Sequence, residues 1–316
     1  MSNTSFAPEP KKKSTIKTLR EKANTRFRDT AYPWLIPLSI LLIAIFLYPI
    51  FEIIRISFTD MNLVEQDFSY TFNSYIQLFS LPGFWPMLGT TGFFVFFSVA
   101  FQLLCGFVIA LLIVRGEGLK LRGTVIVRTS VLVAWAIPGV VIGVIFTMLY
   151  DETSAGILNH FLSQMGIGPV TFLSDPTLAL LSVTLANIWR GTAFSMILMY
   201  AGLQTVSKQL VEAAKIDGAG AFQRLRNVIL PTITPIILVN LIIISIDTFN
   251  TFDMVMALTQ GGPGSSTEVI ALSIYNTIFQ EFNLGVGAAT SIILLLINIS
   301  MTMIYLKVLG KKGDPS

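Results

Sequence analysis

The chain has 316 residues, of which 53% are hydrophobic and 12% charged, against roughly a quarter charged in a typical soluble domain. That balance excludes an ordinary soluble globular protein. It also excludes a disordered chain, which needs low hydrophobicity and high net charge. A net charge of +3 does not point to a nucleic-acid partner, and one Cys and one His rule out a disulfide framework and most zinc or general-base sites.

The first 30 residues form a basic segment carrying Lys11, Lys12, Lys13, Lys17, Arg20, Lys22, Arg26 and Arg28. Ile16, Leu19, Ala23 and Phe27 could form the apolar stripe of a helix lying on the inner leaflet; a solvated tail explains the charge equally well. A membrane-crossing helix needs about 20 mostly apolar residues, and six runs qualify. Residues 30–51 are free of Asp, Glu, Lys and Arg until Glu52, which with Arg55 reads as an interfacial pair. The run is too long for a cleavable signal and is preceded by about 30 polar residues. The second run, 68–114, becomes dense in Phe, Val and Leu from about Phe84. The third covers 129–150, and the fourth covers 176–207 with Arg190 as its one charge. The fifth is clean over 227–246 until Asp247, and the sixth over 282–306.

The loops orient these spans, because positive residues stay on the cytoplasmic side. Lys and Arg occupy the N-terminal segment, the loops near 115–128 and 208–226, and the tail. The loops near 59–83, 151–175 and 256–281 hold no Lys or Arg and eight carboxylates: Asp60, Glu65, Asp67, Asp151, Glu152, Asp175, Glu268 and Glu281. The expectation is an all-α integral membrane protein with six transmembrane helices and both termini cytoplasmic. Residues 1–30 are the N-terminal segment, 31–310 the six-span domain and 311–316 the tail, with a cytoplasmic loop at 205–231.

Much chemistry is missing. No GxxxxGK[ST] is present, and Gly261-Gly262-Pro263-Gly264 lacks a following Lys and reads as a turn. HExxH, CxxC and GxSxG are also absent, so the chain is not expected to be an enzyme, and any ATP must be bound by another chain.

The loop at 205–231 carries its own pattern. Ser207 is a plausible N-cap, residues 208–217 suit a short helix, and Gly218 suits its left-handed C-cap. Residues 219–230 suit a second helix leading into Pro231. Ala213 and Ala214 permit close approach by another surface, and Glu212 sets a carboxylate beside them. The pattern fits a docking knob for a soluble partner, and equally an amphipathic connector at the membrane surface.

Glu212-Ala213-Ala214, three residues, Gly218, nine more, then Val228-Ile229-Leu230-Pro231 resembles the EAA signature of permease subunits in bacterial binding-protein-dependent ABC importers. Val228 stands where that family usually has Ile. Further segments resemble its maltose/glycerol-3-phosphate sugar branch: SFTDMN at 57–62, LVAWAIPGVV at 132–141, ANIWRGTAFSMILMYAGLQ at 186–204 and NTFDMVMALTQGGPG at 250–264. Gly89-Thr90 departs from the Asn-Thr common in relatives.

The resemblance implies a type I ABC importer permease fold in the bacterial cytoplasmic membrane. It implies a second permease subunit, two ATP-binding cassette subunits that hold ATP and Mg, and an extracytoplasmic solute-binding protein delivering sugar. No cofactor is expected in this chain. Glu212, Ala213, Ala214, Asp217 and Gly218 would couple to the ATPase. The positions matching the family's sugar contacts are Trp135, Gly139, Asn187, Trp189, Gly191, Thr248 and Thr251.

The spacing of polar groups adds Asn250 and Asp253 to that set. Asn240, Asp247 and Thr251 share one helix face, and polar groups inside a membrane face a pathway or a protein interior. Helix–helix packing also explains such stripes, and is preferred for Ser195, Ser291, Asn298 and Thr302. Arg190 could meet an anionic substrate, though pairing with Asp247 or Asp253 is the usual fate of an intramembrane charge. An ion-coupled secondary transporter using Asp247 and Asp253 is the alternative, but it has no use for the loop signature.

Overall fold

In a computed structural model of the chain, residues 32–64, 67–153 and 156–309 are described. The basic N-terminal segment and the tail lie outside them. The described residues are helical and contain no strand, apart from the isolated bridges Thr59–Tyr70 and Asn62–Asn283. The chain divides into two units, residues 1–55 and 56–316.

The first unit contributes α1, Leu35–Ser57, up to Arg55. The expected pair near its end is present, with Arg55 Nε donating to Glu52 Oε2 at 3.0 Å. A π turn at Ile43–Leu47 interrupts the α-helical pattern just before Tyr48-Pro49. Proline lacks an N–H and its ring crowds the carbonyl four residues back, so a wider turn there removes the clash.

The second unit runs α2 (Asn73–Ser80), α3 (Phe84–Gly118), α4 (Thr124–Ala136), α5 (Gly139–Leu149), α6 (Ile157–Gln164) and α7 (Pro176–Gln204). It continues through α8 (Lys208–Ile216), α9 (Ala221–Phe249), α10 (Asp253–Leu258), α11 (Ile270–Phe279) and α12 (Leu284–Leu309). Helices α3, α9 and α12, with α1, are long and apolar enough to cross a membrane.

The third expected span is a bent pair. Helices α4 and α5 meet at 102°. The cause is Ile137-Pro138, both in extended backbone, since proline drives its predecessor out of the helical region. The fourth is a continuous helix of 29 residues, α7. It carries Ser182, Thr184, Asn187, Arg190, Thr192 and Ser195, too polar for a helix surrounded by lipid.

Helix α7 escapes that cost by lying inside. Its most extensive partner is α3, with α4 and α9 also against it. Glycines set the distance: a methyl at Gly106 would fall 2.5 Å from Ser195 Oγ and 2.7 Å from the Met196 backbone nitrogen. Small residues allow such approach between membrane helices. Asn240 on α9 donates to Ser195 Oγ at 2.8 Å, so Ser195 packs as expected. Helix α10 seats on α5, where a methyl at Gly143 would fall 2.5 Å from Ala257 Cβ.

The buried interior mixes Phe94, Ile142, Met196, Met199 and Met254 with Ser98, Gln102, Asn187, Asn240 and Thr248. Large apolar side chains such as Phe96, Leu112, Val144, Leu185, Leu296 and Ile304 are exposed. This distribution suits hydrocarbon as the surrounding solvent, where apolar groups lose nothing by facing out and polar groups gain by facing in.

Candidate functional site

Two places gather the residues singled out by the sequence. The first is the loop at 205–231. Helix α8 starts after Ser207, whose extended backbone fits an N-cap although its side chain makes no capping bond. It ends as expected: Gly218 has φ of +80°, its N–H reaches Lys215 O at 3.1 Å, and the Ala219 N–H reaches Ala214 O at 2.9 Å. A left-handed residue lets the last carbonyls bond backwards, and glycine alone adopts it without cost. Gly220 N–H then bonds Gln223 Oε1 at 2.8 Å, and α9 begins.

The expected second loop helix is thus the first part of α9. A π turn at Leu225–Ile229 carries the helix into Leu230-Pro231, the same arrangement as at Pro49.

The paired alanines face different ways: Ala213 is exposed, while Ala214 is half-buried with Val211 on the inward side. Glu212, Asp217 and Gly218 are exposed. Glu212 also rims a cleft of about 280 Å³ between α8 and the ends of α3 and α7. Two apolar side chains stand out beside it, Ile216 at 87% exposed and Phe222 at 71%. Sequence reading missed both, although an Ile and a Phe in a polar loop were a usable signal.

The root of this loop is tied by a polar cluster that was also missed. Tyr200 on α7 donates to Glu117 at the end of α3, 2.9 and 3.0 Å from its two oxygens. Arg128 on α4 donates to Tyr200 Oη at 3.0 Å and lies 5.2 Å from the ring centroid. Gln204 adds a bond to Glu117 at 3.2 Å. Glu117 is the one carboxylate in a loop otherwise rich in Lys and Arg, which was its signal.

The second place is a cavity of about 100 Å³ between α3, α4, α7 and α9. Its walls are Gln102, Trp135, Arg190, Gly191, Phe194, Ile243, Ile244 and Asp247. Gln102 is buried and donates to Asn187 O at 3.0 Å. Gly191 leaves room for it, since a methyl there would fall 2.2 Å from Gln102 Cδ. Trp135 and Phe194 pack with ring centroids 5.6 Å apart.

No ion pair joins Arg190 to Asp247 or Asp253 among the described residues, which corrects the expected structural pairing. Arg190 Nε is buried without a hydrogen-bond partner there. Asp247 is exposed.

The structure therefore brings Trp135 and Gly191 together around one cavity. It brings Gly139 and Asp253 together beside the α4–α5 bend, where a methyl on Gly139 would fall 2.1 Å from Asp253 Oδ2. Asn187, Thr248 and Thr251 are buried, and Thr251 Oγ1 donates back to Asp247 O at 2.9 Å. Trp189 sits apart, its ring 5.6 Å from Phe146 and its side chain on a groove with Cys105 and Leu185. Asn250 faces a larger open cavity of about 780 Å³ between α9, α11 and α12, with Ser291, Asn298 and Thr302 on the far wall. Those three line a cavity, where the sequence suggested packing.

Residues 102–309 match the protein family described as binding-protein-dependent transport system inner membrane component. The chain is 33% identical to the trehalose/maltose transport system permease protein MalF of Thermococcus litoralis, over 92% of this chain and 97% of the relative. It is 31% identical to the sulfoquinovosyl glycerol transport system permease protein SmoG of Agrobacterium fabrum, over 88% and 89% of the two chains. Its fold is shared with a chain of a bacterial ABC transporter involved in the import of the acidic polysaccharide alginate, at a TM-score of 0.78 and 22% identity, covering 92% of this chain and 99% of that one.

Proposed function

The chain belongs to the family of binding-protein-dependent transport inner-membrane components, a multi-pass permease of the sugar ABC transporter type, and on that premise we propose that it forms half of the translocation path of an ATP-driven importer. A second permease of the same kind forms the other half. Two ATPase subunits bind ATP and Mg at the cytoplasmic side, and an extracytoplasmic binding protein delivers the cargo. The cargo is a sugar or related carbohydrate.

The observation that carries this reading is the loop at 205–231. A short helix, fixed at its end by Gly218, exposes Glu212, Ala213 and Asp217 beside the apolar Ile216 and Phe222. Exposed apolar groups rimmed by polar ones mark a protein contact. ATP binding favours one state of the pair only if some contact differs between the states. This loop supplies that contact, and Ala214 and the Glu117–Tyr200–Arg128 cluster hold it against the spans.

The sugar path runs along the α4, α7 and α9 walls. Trp135 and Gly191 face it directly. Asn187, Thr248 and Thr251 stand behind the wall, and Gly139 with Asp253 supports the bend. Asn250 and Trp189 serve neighbouring cavities. An ion-coupled secondary transporter would leave the loop without a role. The names of the relatives include a trehalose/maltose system and a transporter of an acidic polysaccharide, so family membership leaves the charge of the cargo open.

Purification of the tagged chain from native membranes in mild detergent tests the reading. A P-loop ATPase and a second permease should copurify with the wild type, and Gly218→Asp should lose the ATPase. Recovery of the chain alone, with solute uptake into vesicles that needs no ATP, would overturn it.

A further inference from the structure

The cavity between α3, α4, α7 and α9 is lined by one basic and one acidic side chain that do not pair with each other. Arg190 and Asp247 both line it, with no ion pair between them and with Arg190 Nε buried and unbonded among the described residues. A basic side chain buried at one nitrogen among membrane helices without an ion-pair partner is costly and is kept where it has work to do, and the exposed Asp247 opens onto the same cavity. Guanidinium can only donate hydrogen bonds, and an ionised carboxylate can only accept them. A single group able to do both satisfies the two at once. A sugar hydroxyl is such a group, and two hydroxyls on one ring edge place a donor beside an acceptor.

We infer that this cavity selects an uncharged sugar, with Arg190 and Asp247 as the specificity-determining pair; the inference rests on the importer reading above. An anionic sugar would gain Arg190 but set its own charge against Asp247, and like charges brought together across a contact are strongly disfavoured. A cationic amino sugar would meet the converse at Arg190. A neutral ring meets neither. Trp135 supplies a flat apolar wall for the C–H face of the ring, backed by Phe194. At about 100 Å³ the cavity falls below the roughly 300–1,000 Å³ of a complete small-molecule site, so it takes one edge of a sugar.

The test uses the whole complex, with its partner permease and ATPase subunits, in lipid nanodiscs without the binding protein. Equilibrium binding of radiolabelled trehalose and of radiolabelled digalacturonate is measured by scintillation proximity. Trehalose should bind about tenfold more tightly or better. Asp247→Asn should narrow that preference about fivefold, by relieving the like-charge contact. Arg190→Gln should weaken trehalose about tenfold and should not improve digalacturonate. Each variant must still copurify its ATPase subunits and hydrolyse ATP, which separates misfolding from lost selectivity; a variant that does not is replaced by Asp247→Ser or Arg190→Lys. A wild type that prefers digalacturonate, an unchanged ratio in the Asp247 variant, or no binding of either sugar overturns the inference while leaving the importer reading in place. Failure of the ATPase to copurify with the wild type overturns the importer reading instead.

Discussion

The loops at the two ends of α7 are built on opposite plans. In the loop before it, polar side chains are spent internally. Glu152 accepts from the Leu173 and Ser174 N–H groups at 2.8 and 2.6 Å and from Ser174 Oγ at 2.7 Å. Asn159 bonds Asp151 O and Val170 O and accepts from the Val170 N–H. Asp175 caps α7 through the N–H groups of Thr177 and Leu178. The loop after α7 leaves its equivalents open: Ser207 makes no cap bond, Glu212 and Asp217 are exposed, and Ile216 and Phe222 point outward. The first loop is finished by its own chain. The second leaves those groups open, as the attachment site proposed above requires and a closing loop does not.

The largest effect should come from charging the open loop. Ile216→Asp with Phe222→Asp should weaken retention of the ATPase by about thirtyfold or more, as expected for apolar anchors at the centre of a contact. Titration of the purified ATPase onto the nanodisc-held permease pair reads this directly, and unchanged affinity would remove the contrast between the loops.

Next comes Gly218→Val. Its backbone at φ +80° is strained for a β-branched residue by about 1–3 kcal/mol, so transport should fall roughly tenfold while expression is kept. Uptake in proteoliposomes against the amount of assembled complex measures it.

A smaller change is expected for Tyr200→Phe, which removes the hydroxyl joining Glu117 to Arg128. The loss is about 1 kcal/mol of interaction, and it should appear as a raised ratio of basal to binding-protein-stimulated ATP hydrolysis, with little change in assembly. An unaltered ratio would mean the cluster only packs.

The smallest effect belongs to the finished loop. Burial pushes the Glu152 carboxyl up, but hydrogen bonds from Ser174 and Leu173 outweigh it and hold it below its ordinary value of 4.5. A depressed carboxylate stabilises the fold above its unfolded pKa, and that support fades as pH falls through the folded one. Proteolysis within 151–175 should therefore be flat above pH 5 and rise only under more acid conditions. In Glu152→Gln the acid step should shrink to what Asp151, held low by its hydrogen bonds to Thr153, still contributes, with transport near normal.

What the sequence disclosed follows the range of the forces involved. The end of α8 at Gly218 was legible because a helix stop is a local event. The third span was read as one apolar run because composition carries no angle, yet Ile137-Pro138 held the information for its bend. The stripe Asn240–Asp247–Thr251 holds on a helical wheel and fails in space. Asn240 bonds α7 where the two helices touch, and Asp247 lies where they part around the cavity. Contacts such as Tyr200 with Glu117, 83 residues apart, depend on how helices assemble, and one sequence does not report that.

The π turn at Leu225–Ile229 sets the phase of everything beyond it. Such a turn contains one residue more than an α turn, and each residue of an α-helix advances the azimuth by about 100°. The side of α9 that carries Asp247 is therefore about 100° from where an unbroken helix starting at Ala221 would aim it. The proline after the loop at 205–231 thus helps set which way a carboxylate points some 16 residues further along, at about 1.5 Å per residue or roughly 24 Å away.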